Sequence, residues 1–214
     1  ESIPPVTIDF LALIKLVNFY YNADKMKKLL LIIEDDWKRF GTGEELIILR
    51  NFGEDCRKKT LMYAGCITGS MTPFLLAPLV SLVMESISND EMMASNETIV
   101  RPLVFHVEYL VDVEKWYFHL LIHSWCATLY VIVIFVGIDT IVLTYVTHAC
   151  SLIAIISYRL EHLVENDDLE VDVNPPMSQD KSYRKLVQCI SQHAKVIEYV
   201  EMVESANTIS TCLQ

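Results

Sequence analysis

The chain has 214 residues, of which 52% are hydrophobic and 21% charged, and its formal net charge at pH 7 is −11. This acidic balance argues against a nucleic-acid partner, because no basic surface is available to displace phosphate counterions. The six cysteines are spread singly, without C-x-x-C spacing, which argues against a disulfide framework or a structural zinc site.

Residues 1–59 are predicted to hold the inner end of a preceding membrane span, followed by cytoplasmic helices. The apolar segment Phe10–Tyr21 is interrupted only by Lys15 and Asn18, and it is interpreted as that inner end. Residues 25–37 have the period of an amphipathic surface helix. The apolar face of this helix comprises Met26, Leu29, Leu30 and Ile33, and its candidate caps are Asn22 and Asp24.

Residues 60–84 are predicted to form a transmembrane helix, because they contain no Asp, Glu, Lys or Arg. A helix needs about 20 apolar residues to cross a hydrocarbon core of roughly 30 Å. Arg57, Lys58 and Lys59 directly precede this run, whereas residues 85–115 carry seven acidic and two basic side chains. By the positive-inside rule the helix therefore runs from the cytoplasm outward.

Residues 85–115 are accordingly predicted to be an extracellular loop. The triplet Asn96-Glu97-Thr98 in this loop is an acceptor for N-glycosylation, which requires that the loop reach the secretory lumen. The charge asymmetry and the acceptor sequence thus indicate the same orientation, with Asn96 as the candidate modified residue.

Residues 116–158 carry Asp139 as their only Asp, Glu, Lys or Arg, and they are predicted to return the chain inward. Counting about 20 residues from Trp116 reaches the inner membrane surface near Gly137 to Asp139. The apolar residues 140–158 then extend the helix into a cytoplasmic domain, where protein must cover them. The alternative is a hairpin at Gly137–Thr140 followed by a third span.

The remaining residues are predicted to be a cytoplasmic loop, 159–182, and an amphipathic helix, 183–214, that leads to a next span. An apolar stripe recurs on this helix at three- and four-residue steps and is expected to pack. It comprises Tyr183, Leu186, Val187, Ile190, Ala194, Ile197 and Val200. The predicted fold class is thus all-α, a polytopic membrane helical bundle with cytoplasmic helical extensions.

Several motifs in this order resemble the insect odorant receptor family. They are Asp36-Trp37-Lys38, the run from Pro73 to Leu79, the run from Val111 to Tyr117, Ala127-Thr128, Gly137-Ile138-Asp139-Thr140, His148-Ala149-Cys150, Tyr158-Arg159-Leu160-Glu161, Ile190-Ser191-Gln192-His193 and Tyr199-Val200-Glu201. The resemblance covers essentially the whole chain. Many members have Gly after the His-Ala-Cys triplet, where this chain has Ser151, a small-for-small change.

The resemblance implies a seven-helix receptor with its N-terminus inside, of which this chain is a middle fragment. It implies an odorant-gated, non-selective cation channel in the plasma membrane of olfactory sensory neurons, assembled as a hetero-tetramer with an obligatory coreceptor. Odorants in the family bind between the outer halves of the second, third, fourth and sixth helices, and a cytoplasmic anchor domain joins the subunits. The pore-lining seventh helix is absent from this chain, so a non-conducting truncated fragment is one alternative. A gustatory-type chemoreceptor, a membrane enzyme and a carrier are the others.

The candidate odorant pocket on the first span is an apolar stripe in its outer part. It comprises Met71, Phe74, Leu75 and Pro78. A small volatile ligand is held mainly by apolar burial, so these side chains are suitable lining, although they are also ordinary helix-packing residues. Pro73 and Pro78 each remove a helical hydrogen bond and predict a kink.

His119 and His123 lie four residues apart on the second span, near the outer surface. They are interpreted as interfacial side chains or as odorant contacts. A metal site would need a third donor, and only His106 and Glu108 are near in sequence, so no metal is predicted. The expected partners are therefore a volatile odorant, the coreceptor and membrane lipid.

Asp139 is the remaining candidate. An interfacial position favours pairing with a cytoplasmic base, and a role in gating is a hypothesis. His148 and Arg159 with Glu161 are expected to hold the cytoplasmic helices together. No phosphate loop, nucleophile elbow or H-E-x-x-H sequence accompanies them, so neither an enzyme nor a cofactor is predicted.

Overall fold

The structure is a computed structural model that describes residues 3–40, 42–88, 113–163 and 181–212. These ranges form the α-helices α1 (Ile3–Tyr21), α2 (Ala23–Arg39), α3 (Glu44–Ser88), α4 (Val113–Glu161) and α5 (Lys181–Cys212). No strand occurs within them, so the predicted all-α fold is confirmed. The glycosylation acceptor Asn96 and most of the predicted 159–182 loop lie outside the described residues.

Two of the helices are long and apolar enough to cross a membrane. The qualifying segments are Glu44–Met84 of α3 and Lys115–Glu161 of α4. Only 6% and 17% of their most apolar windows are buried within the chain. A core helix of a soluble protein would bury most of such a window, so the exposure supports the helical membrane bundle predicted from the sequence.

Both long helices are continuous where the sequence left alternatives open. α4 is helical from Val113 to Glu161 without interruption, so the alternative hairpin at Gly137–Thr140 does not form. Pro73 and Pro78 both lie inside α3. The kink predicted at these prolines stays a prediction.

Ahead of α3, Gly43 has a φ of 94°, a left-handed conformation that glycine adopts without steric cost.

The chain divides into two compact units. Unit 1 contains residues 1–16 and 61–138, and unit 2 contains residues 17–60 and 139–214. In unit 1 the buried side chains include Ala12, Pro78, Tyr117, Leu121 and Ile134.

Unit 2 has its main core where α2, α4 and α5 meet. This core comprises Met26, Leu29, Tyr145, Ala149, Tyr199, Val203 and Ala206. The Tyr145 hydroxyl donates to the Met26 carbonyl at 3.0 Å, and the Tyr199 hydroxyl donates to the Tyr145 carbonyl at 3.3 Å. The two tyrosines therefore fill the core while their polar ends satisfy backbone acceptors.

The amphipathic helix α2 is confirmed, with two corrections. Met26 and Leu29 are buried and Ile33 is partly buried, but Leu30 is 49% exposed. Asn22 occupies the N-cap position without a capping hydrogen bond. Its amide instead donates to the carbonyl and the side-chain oxygen of Asn18, both at 3.0 Å. The competing bond to the preceding turn explains why the cap predicted from residue type is absent.

The helix predicted after the 159–182 loop is confirmed as α5, but the stripe expected to pack is wrong. The large apolar side chains of that stripe are 40% to 60% exposed, and Ala194 is exposed as well. The buried face instead comprises Cys189, Gln192, Val196, Tyr199, Val203 and Ala206. Hydrophobic periodicity missed this face because it includes a small thiol and a polar amide.

Candidate functional site

The four candidate pocket residues of α3 differ in their exposure. Pro78 is fully buried, Met71 and Leu75 are partly buried, and Phe74 is 58% exposed. Pro78 thus packs within unit 1, whereas Phe74 presents an aromatic ring at the surface of the unit. Nothing in this arrangement tests the predicted contact with an odorant, which stays a prediction.

His119 and His123 are both exposed, one turn apart on α4. The His119 ring lies edge-on to the indole of Trp116, with 5.0 Å between ring centroids. Among the residues described, no group of three or more His, Cys, Asp and Glu side chains is placed to hold a metal ion. His106 and Glu108, which the sequence offered as further donors, lie outside that set.

Asp139 is a partly buried residue of α4 and makes an interaction within the described chain. Its predicted pairing with a cytoplasmic base stays a prediction. Asp139 and the six candidate pocket residues lie outside the walls of the cavities found in unit 2.

Unit 1 also buries polar side chains that the sequence analysis did not assign to a site. Lys15 is 2% exposed, and its ammonium lies 4.6 Å from the centroid of the Phe135 ring. Ser124 and Thr128 are buried and donate to the carbonyls four residues earlier, each at 2.8 Å. The Trp125 indole N–H is buried without a hydrogen-bond partner in the described chain. In the sequence, the one indication of this buried polar group was Lys15, because it is a charged residue within an apolar segment.

In unit 2, His148 of α4 pairs with Asp36 of α2. The His148 Nε2 atom lies 3.1 Å from the Asp36 carboxylate, and the two side chains are 4% and 18% exposed. The Tyr199 ring packs edge-on against the imidazole, with 5.6 Å between centroids. Burial, with further contributions from Tyr145 and Asp36, raises the pKa of the Tyr199 hydroxyl far above its ordinary range. His148 therefore joins α2, α4 and α5, as the sequence predicted for a helix-holding residue.

Arg159 of α4 holds a second polar junction. Its guanidinium donates to both carboxylate oxygens of Glu45 in α3, at 2.5 and 2.7 Å, and to the Gln192 side-chain oxygen in α5 at 2.5 Å. The partner is Glu45 rather than Glu161, which is exposed. A planar guanidinium satisfies this set of acceptors in one plane, which an ammonium does not.

A third polar link connects the ends of unit 2. The Asn18 amide donates to the Ala206 carbonyl at 3.1 Å, and both residues are buried. Asn18 and Lys15 are the two polar residues that interrupt the apolar segment Phe10–Tyr21. In the described chain both side chains make structural contacts.

These features define a protein whose described residues are helical and include two helices long and apolar enough to cross a membrane. The family model described as 7tm odorant receptor matches residues 1–214. The chain belongs to the odorant receptor family, as its sequence motifs indicated. No curated protein matches it.

Proposed function

We propose that this chain is part of an odorant-gated cation channel subunit that works with a coreceptor in the plasma membrane of olfactory sensory neurons. The observation that carries the proposal is the match of the whole chain to the odorant receptor family. The membrane location is supported by two long apolar helices whose most apolar windows remain exposed.

The proposed topology takes α3 outward through the membrane over residues 60–84 and α4 inward from residue 116, with residues 85–115 outside. The boundaries of the compact units support this assignment. Unit 2 meets unit 1 in sequence at residues 16/17, 60/61 and 138/139. The second and third of these junctions fall where the charges and the span lengths of the sequence predict the inner membrane surface. Unit 2 is then the cytoplasmic part of the chain, and Asn96 is glycosylated in the lumen.

The proposed ligand is a small volatile odorant held by the outer parts of α3 and α4. Phe74 is the strongest candidate contact because it is the most exposed of the four apolar α3 candidates. Burying an aromatic side chain against a ligand contributes about 1.5–3 kcal/mol. His119 and His123 are exposed donors and acceptors near the same end of α4, suited to an odorant with an oxygen atom.

Recording odour-evoked current from the complete gene product, with and without the coreceptor, across a panel of volatiles tests the proposal. We expect current only when both are present. Phe74→Ala should raise the half-maximal odorant concentration about tenfold. Leu76→Ala is the matched control, because Leu76 is also exposed, at 47%, but lies two residues on and faces another direction. Absence of current in every combination would refute the channel.

Asp139 is proposed to contribute to gating. Asp139→Asn keeps the size of the side chain and removes its charge, so a gating role predicts altered odour-evoked current at unchanged surface expression. Normal current from this variant would reduce Asp139 to a structural residue. The orientation has its own test, since Asn96→Gln should abolish a glycosidase-sensitive mobility shift of the wild-type chain.

A further inference from the structure

A cavity lies within unit 2, between α2, α3 and α4, and the odorant-receptor assignment does not account for it. Its volume is about 260 Å³. It is lined by Ile33, Trp37, Leu49, Phe52, Gly53, Cys56, Arg57, Thr60, Thr144, Thr147, His148 and Ser151. We propose that this cavity binds a free single-chain carboxylate amphiphile from the cytoplasm, with the chain among the apolar walls and the carboxylate on Arg57.

Three polar side chains on the wall already have hydrogen-bond partners within the chain, which reduces the donors and acceptors available to a polar ligand. The Thr144 hydroxyl donates to the Thr140 carbonyl at 2.8 Å, and the Ser151 hydroxyl donates to the His148 carbonyl at 2.7 Å. The His148 ring is bonded to Asp36. A sugar or nucleotide would need unpaired donors and acceptors, whereas an alkyl chain needs none.

Arg57 is the charged group on this wall that is available to a ligand. Two nearby basic residues on α3 are paired, since Arg50 lies 3.2 Å from Glu54 and Lys58 lies 3.6 Å from Asp55, whereas Lys59 is exposed and off the cavity wall. In the described part of the chain Arg57 has no such partner, although the protein as a whole is strongly acidic. A guanidinium binds a carboxylate through two parallel hydrogen bonds, so the complementary headgroup is an anion.

The position of Arg57 also distinguishes a free amphiphile from a bilayer lipid. The apolar walls from α3 are Leu49, Phe52 and Cys56, which precede Arg57 in the helix, whereas the proposed membrane segment follows it from Thr60. A phospholipid with its headgroup at Arg57 would extend its chains toward the membrane and away from the cavity. The cavity is also close to the small end of ligand pockets, roughly 300–1,000 Å³, which favours one chain of medium length.

The test uses photoaffinity labelling of the complete protein in phosphatidylcholine nanodiscs. The probe is decanoic acid with a diazirine on its chain and an alkyne for detection, and labelled peptides are identified by mass spectrometry. We expect saturable labelling of peptides from residues 33–60 and 144–151, displaced by decanoate and much less by decanol. Labelling spread over the apolar spans without saturation would overturn the proposal. Equal displacement by phosphatidylserine would overturn the free carboxylate as the occupant.

Two pairs of variants separate the charge from the volume. Arg57→Gln should weaken probe binding about tenfold, whereas Lys59→Gln, at an exposed lysine off the cavity wall, should not. Gly53→Leu should also weaken binding about tenfold by filling the space beside Trp37. Its control is Gly53→Ala, whose Cβ would lie in ordinary contact with the Trp37 ring at 3.5 Å. If the Arg57→Gln variant binds the probe as tightly as the wild type, Arg57 does not hold the carboxylate. This conclusion does not depend on whether the Gly53→Leu variant folds.

Discussion

Replacing Glu45 by Gln tests whether the Arg159 junction stabilises unit 2. The substitution preserves size but removes the charge that accepts two guanidinium hydrogen bonds, at 2.5 and 2.7 Å. Hydrogen bonds to charged groups contribute about 1.5–3 kcal/mol, and breaking a fully buried pair costs about 3–5 kcal/mol. Because the Arg159 and Glu45 side chains are 21% and 25% exposed, solvent screens part of the loss. The expected loss is therefore about 2 kcal/mol.

The assay is thermal denaturation of the purified complete protein, followed by the loss of its monodisperse peak on size-exclusion chromatography. A loss of about 2 kcal/mol should lower the apparent melting temperature by about 8 °C, because a unit of the size of unit 2 unfolds with an entropy of about 2.1 cal/mol/K per residue. Glu34→Gln is the matched control, since Glu34 lies 2.7 Å from Lys38 but these side chains are 60% and 69% exposed. This control should have the same apparent melting temperature as the wild type. Equal shifts in both variants would refute the reasoning that burial makes the Arg159 pair stabilising.

Three further predictions concern buried polar groups and use the same denaturation assay. Asp36→Ala should cost about 1–3 kcal/mol, because it leaves the 4%-exposed His148 ring without its acceptor; an unchanged melting temperature would contradict this. Stability should fall as pH rises above 10, the ordinary pKa of tyrosine, because the unfolded chain loses the Tyr199 proton first. Tyr199→Phe should flatten that dependence, and a parallel pH profile would exclude Tyr199 as its source. Phe135→Leu should lower the free energy of unfolding in the wild type by about 1 kcal/mol more than it does in a Lys15→Met background. The reason is that the ring has no buried cation to stabilise once Lys15 is replaced. If the two substitutions have additive effects, Lys15 and Phe135 are not coupled.

Sequence reasoning was sufficient where a long pattern admits one physical solution. The charge-free run of residues 60–84 and the nearly charge-free run of residues 116–158 both predict long helices, and each lies within one. The motifs spread along the chain indicated the family that the whole-chain match then established. Length alone did not exclude a hairpin at Gly137–Thr140. A single glycine is a weak helix breaker, and the surrounding apolar residues maintain the helix through it.

The faces of the amphipathic helices were harder to predict because burial depends on partners far away in sequence. Gln192 is buried since Arg159, 33 positions away, donates to it. Cys189 is buried against Ile156 and Val196, although a thiol adds little to a hydrophobic pattern. For the same reason the candidate site was not determined by residue type: the exposure of Phe74 and the burial of Pro78 depend on packing within unit 1.

If the chain is part of an odorant-gated channel, as proposed, the polar junctions of unit 2 also have a functional readout, the half-maximal odorant concentration, that a melting temperature does not give. A ligand opens a channel only to the extent that it binds the open state more tightly than the closed one. If the Glu45–Arg159 pair is equally strong in both states, Glu45→Gln lowers the melting temperature and leaves the half-maximal odorant concentration unchanged. If the pair is stronger in the closed state, the same substitution favours opening, and less odorant is required. The two measurements on one variant therefore distinguish a contact that only stabilises the fold from one that sets the closed-to-open equilibrium.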